Sequence, residues 1–104
     1  MFATVTLVTA PPAHGQSGIF DVKSLPGATC YLVGKRPAHG DRTTNSFLIP
    51  ASGDNNSVRA GAVGDGSQTP WPASSTGPGY SITATCSLTG KPTTTSAAIT
   101  VVWP

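Results

Sequence analysis

The chain has 104 residues, a net charge of +2, and a composition led by Thr (15), Gly (12), Ser (11) and Pro (10), with no Glu at all. This length accommodates one domain, the scattered prolines exclude a long helix or coiled coil, and no apolar run is long enough to span a membrane as a helix. Six Lys and Arg, adjacent only at Lys35-Arg36, leave no basic track for a nucleic acid.

Period-two alternation runs through the chain. In residues 2–9, Ala3, Val5 and Leu7 share one side, while Thr4 and Thr6 take the other. That pattern predicts a half-buried strand, ended by Pro11-Pro12. Residues 18–25 set Phe20 and Val22 against an outward Asp21 and Lys23. Residues 28–33 group Ala28, Cys30 and Leu32 on one face. Residues 34–46 read as a loop, followed by short apolar runs at Phe47-Leu48-Ile49 and from Val58 to Val63. Residues 64–79 read as a second loop, with Trp71 held between Pro70 and Pro72, too rigid for a central strand. In residues 80–87, Tyr80, Ile82, Ala84 and Cys86 point one way and Ser81, Thr83, Thr85 and Ser87 the other. After a turn at Thr89-Gly90-Lys91-Pro92, residues 95–103 place Ala97, Ile99, Val101 and Trp103 on one face, so the pair reads as a hairpin. The tetrapeptide Pro-Ala-His-Gly occurs at 12–15 and at 37–40 and reads as two similar turns. About seven short strands without a crossover helix predict an all-β sandwich rather than a parallel sheet.

Cys30 and Cys86 lack the partners of a structural zinc site and the Cys-x-x-Cys spacing of a redox motif. One disulfide in an oxidising compartment is the favoured reading; two buried reduced thiols are the alternative. The loop so closed, residues 30–86, corresponds to about 4 kcal/mol of chain-entropy stabilisation. Residues 1–9 carry neither a basic start nor a long apolar stretch, so they do not read as a signal peptide. The composition then fits either an excised domain of a larger secreted protein or a virion component.

Catalytic patterns are missing. Gly15-Gln16-Ser17-Gly18 has the wrong spacing for a nucleophile elbow. The four acids, Asp21, Asp41, Asp54 and Asp65, form no evident general acid–base pair. His14, His39 and Asp41 are the conceivable metal ligands, and Asp54-Asn55-Asn56 with Asp65 the conceivable calcium oxygens, but turns account for both groups more simply. Neither a metal nor a cofactor is expected.

Two segments carry a family resemblance: Leu25-Pro26-Gly27-Ala28-Thr29-Cys30, and Pro78-Gly79-Tyr80-Ser81-Ile82-Thr83-Ala84-Thr85-Cys86, led in by Thr76-Gly77. With Pro12-Ala13-His14-Gly15 they resemble immunoglobulin-like domains of bacterial cell-surface and secreted proteins, over residues 12–33 and 76–102. The middle departs, since residues 50–75 replace the usual Trp-rich strand. The resemblance implies an immunoglobulin-like or fibronectin III-like sandwich over residues 1–104 and, because such folds host many roles, little about function. The resulting expectation is a non-catalytic structural or adhesive module on a cell or virion surface. It would contact other surface or virion proteins through Trp71, Tyr31, His39 and Arg42. Two alternatives are a virion decoration or filament subunit that pairs with its own copies, and a carbohydrate-binding module centred on Trp71.

Overall fold

A computed structural model describes residues 1–13, 15–67, 69–71 and 79–104. Its strands, in chain order, are β1 (Ala3–Thr9), β2 (Gly18–Ser24), β3 (Thr29–Lys35), β4 (Arg42–Thr43), β5 (Phe47–Leu48), β6 (Asp54–Ala60), β7 (Tyr80–Ser87), β8 (Thr94–Thr95) and β9 (Ile99–Val101). They form two antiparallel sheets. One has the order β1-β2-β6. The other centres on the β3–β7 pair, flanked by β4 and β5 on the β3 side and by β8 and β9 on the β7 side. The fold is therefore all-β and sandwich-like. A single buried cluster joins Val5, Phe20, Val22 and Val58 of the first sheet to Leu32, Tyr80, Ile82 and Val101 of the second.

The unbroken alternations fold as the pleat requires. Cys30, Leu32 and Gly34 are buried along β3, and Tyr80, Ile82, Ala84 and Cys86 along β7. Cys30 faces Cys86 directly in the β3–β7 register, and the two are disulfide-bonded with Cα atoms 4.1 Å apart. A close antiparallel pair has Cα atoms about 4.5 Å apart, so a bridge fits there between adjacent strands. In immunoglobulin domains the bridge joins the two sheets instead.

Both strand rows outside β3 and β7 are broken, and a hydroxyl mends each break. Leu32 and Ala84 are cross-strand neighbours. Leu32 N–H donates to Thr44 Oγ1 at 2.9 Å, while Thr44 N–H donates to the Leu32 carbonyl. Ala84 N–H donates to Ser96 Oγ at 2.8 Å, while Ser96 N–H donates to the Ala84 carbonyl. In each case the side-chain oxygen takes an N–H that an uninterrupted ladder would give to a carbonyl, so neither the Leu32 nor the Ala84 N–H is left unpaired.

Three expectations change. The strand expected from Val58 to Val63 runs from Asp54 to Ala60, because pairing with Val22 and Lys23 draws the polar residues Asp54 and Asn55 into the ladder. Ala97 is exposed and Ser96 buried, because one extra residue is accommodated between Ser96 and Ile99 and exchanges the faces. Leu7 is 40% exposed although it stands in register opposite the buried Phe20, and the β1–β2 register shifts just after it.

Candidate functional site

The most elaborated part of the molecule is one end of the sandwich, where four aromatic rings meet. Trp71 lies 5.1 Å from Trp103 and 5.3 Å from Tyr80, centroid to centroid; Tyr80 meets Trp103 edge-on at 5.3 Å, and Phe20 stacks on Trp103 at 6.2 Å. Such tilted and edge-on pairs match the charge distribution of aromatic rings. Two glycines make room. A Cβ on Gly34 would lie 2.5 Å from Trp71 Cζ3, and one on Gly61 would lie 2.6 Å from Trp103 Nε1. Gly61 also has a φ of 133°, open to glycine alone without strain.

Trp71 is thereby corrected as a contact residue. Only 3% of it is exposed, and it belongs to the core. Trp71 lies outside the strands, as the sequence predicts, but its ring gains more by covering Gly34 and the aromatic end than by facing water.

The other candidates lie apart from one another. Tyr31 is on β3, 38% exposed, opposite Thr85. His39 is exposed in the β3–β4 loop. Arg42 begins β4, half-buried, and its guanidinium acts on the Tyr80 phenol, favouring the ionised form. The Arg36 guanidinium lies over the Tyr80 ring, 5.3 Å from its centroid, a cation–π arrangement. Burial pushes the Tyr80 phenol above its ordinary pKa, against the opposing pull of Arg36 and Arg42. His14 lies outside the described residues, as do Pro72–Pro78 of the second loop. Among the described residues no three His, Cys, Asp or Glu side chains converge as a metal site would need.

No protein-family model, no curated protein and no solved structure matches the chain.

Charge is distributed unevenly. Lys35, Arg36 and Arg42 with Asp41 carry the whole net charge of +2, since Lys23, Arg59 and Lys91 elsewhere balance Asp21, Asp54 and Asp65. Lys35 and Asp41 approach to 3.7 Å with both side chains exposed, a pair of little energetic weight. On the outer side of the β2–β6 pair, Asp21 meets Asp54. Burial raises the Asp21 pKa above its usual value, hydrogen bonding to Asp54 and the charge of Asp54 add to this, and Lys23 opposes it.

The surface concavities are open to solvent. One of about 440 Å³ is lined by Thr29, Ser87, Thr89 and Lys91; another of about 230 Å³ by Phe47, Asn45, Asn55 and the exposed ion pair of Arg59 and Asp65, 3.7 Å apart. Asn55 is engaged there: its amide donates to the Leu48 carbonyl and its oxygen accepts from Ser57 N–H. Sequence reasoning missed the Arg36–Tyr80–Arg42 group and the Asp21–Asp54 pair. Gly34 inside an apolar strand was the available signal for a close approach.

Proposed function

We propose that this chain is a non-catalytic, immunoglobulin-like structural module displayed outside a cell or on a virion. The observation that supports display outside the cell is the buried Cys30–Cys86 bridge between adjacent strands of one sheet, a placement that departs from the inter-sheet bridge of immunoglobulin domains. A staple at that position belongs to a small domain folding under oxidising conditions, where a thin core needs covalent help. The distribution of chemistry supports a structural role: large aromatics pack inside, hydroxyls complete the ladders, and net charge is confined to the segment from Lys35, which ends β3, to Arg42, which begins β4. That segment, with Lys35, His39 and Arg42, is the contact surface this reading favours, towards other surface or virion proteins. The carbohydrate-binding alternative loses its platform with the burial of Trp71. Antibody labelling of intact source cells or virions, with thiol titration of the recovered protein, tests the reading. Surface signal with no free thiol is expected; a reduced protein found only after lysis overturns it.

A further inference from the structure

Among the described residues, strand β1 is an edge of the three-stranded sheet, seven residues long. An open edge offers unpaired N–H and C=O groups to other chains, and proteins guard such edges with charge, brevity or bulges. The other edges here are guarded. β6 carries Asp54 and Arg59. β4, β5 and β8 have two residues each and β9 has three. β1 has no charged side chain, and no Asp, Lys or Arg precedes Asp21 in the sequence. Its one irregularity follows Leu7, which leaves Ala3–Leu7 in regular register. Beside that point Leu7 and Val8 remain 40% and 56% exposed.

We propose that β1 pairs antiparallel with β1 of a second copy of this chain, about a two-fold axis at Val5, joining the two three-stranded sheets into one. In that register Val5 faces the partner's Val5, Thr4 faces the partner's Thr6, and Ala3 faces the partner's Leu7. Each pair shares a face, because the strand alternates with period two. Charge selects the occupant: no charge opposes a like charge, and a charged strand finds no complement on β1. Thr–Thr pairs are favourable cross-strand neighbours, and Leu7 gains an apolar cover. A five-residue edge is smaller than the interface of a stable dimer. The contact is therefore weak between free copies and strengthens where many copies are held together. It does not depend on where the module is displayed.

Analytical ultracentrifugation at low salt, up to about 1 mM protein, tests the pairing. The unaltered chain is expected to dimerise reversibly. Thr4→Lys with Thr6→Lys sets ammonium against ammonium at both Thr4–Thr6 contacts, and dimerisation should weaken by about tenfold or more. Thr4→Lys with Thr6→Glu sets ammonium against carboxylate at the same two contacts, so the dimer should persist. Both side chains are exposed, and circular dichroism should show both variants folded. An unaltered chain that stays monomeric throughout overturns the proposal. So does equal dimerisation of the two variants.

Discussion

Replacing Gly34 by Ala adds one methyl group where the β3 backbone meets Trp71. That carbon would sit 2.5 Å from Cζ3, 2.8 Å from Cη2 and 3.1 Å from Cε3 of the indole. Contact needs about 3.5–4.0 Å between carbons, so the ring must retreat by roughly an ångström. It cannot tilt freely, because Trp103 and Tyr80 hold it from other sides at 5.1 and 5.3 Å. Overpacking of this kind costs about 1–3 kcal/mol, or roughly 4–8 °C in Tm per kcal/mol for a domain of this size. Urea unfolding, followed by tryptophan fluorescence and circular dichroism, should show a lowered midpoint with an unchanged slope. Trp71→Phe removes part of the blocking ring and leaves space, so it is destabilising alone. Combined with Gly34→Ala, the two losses should fall short of their sum by about 1 kcal/mol, the coupling expected of residues in contact. A neutral Gly34→Ala, or strictly additive losses, would refute the packing of Trp71 on β3.

Replacing Cys30 and Cys86 together by Ala should cost about 4 kcal/mol and lower Tm by about 15–30 °C, read by calorimetry; a shift of only a few degrees would mean that the bridge adds little to the fold. Thr44→Val leaves the buried Leu32 N–H without its acceptor and should cost about 1–3 kcal/mol, whereas Thr44→Ser, which keeps the oxygen, should cost much less. Asp21 has a folded pKa above its unfolded one. Its contribution is therefore fully present below the usual carboxyl pKa and is lost as pH rises through the folded value. Asp21→Asn should accordingly stabilise the protein near pH 7 by up to about 1 kcal/mol, the scale of opposed like charges across strands. Thermal melts against pH should show that gain fading towards pH 3–4, and a loss of stability at pH 7 would contradict it.

How much of the fold the sequence displays depends on whether the alternation is interrupted. β3 and β7 are legible because their faces alternate without a break, and the pleat then fixes which side chains meet the core. β6 is not, because Asp54-Asn55-Asn56-Ser57 are turn formers that only pairing with β2 holds extended. The C-terminal segment misleads because one extra residue reverses its faces, and nothing local marks that residue. Trp71 misleads for a related reason: its prolines report a loop, but whether a loop aromatic is inside depends on Gly34, far away in sequence. The same separation hides the candidate site. Arg36 and Arg42 look like ordinary loop cations until β7 delivers Tyr80 between them.

The abundance of Ser and Thr has a structural cause that composition alone does not reveal. The row Thr44–Leu32–Ala84–Ser96 crosses the larger sheet, and both ends of it close through a side-chain oxygen. Elsewhere Ser67 Oγ accepts from Gly61 N–H, Ser17 Oγ accepts from Ala62 N–H, and Ser24 Oγ donates to the Phe2 carbonyl. A hydroxyl can replace a carbonyl as acceptor in little space and without charge, so the strands can break or shift register and still leave the buried backbone satisfied. Charged residues are then not needed to fill polar gaps inside. The few that remain either balance one another around the sandwich or gather between β3 and β4, where Arg36 and Arg42 are held against the aromatic end. A domain built in this way has hydroxyl-rich sheets without net charge and one basic end.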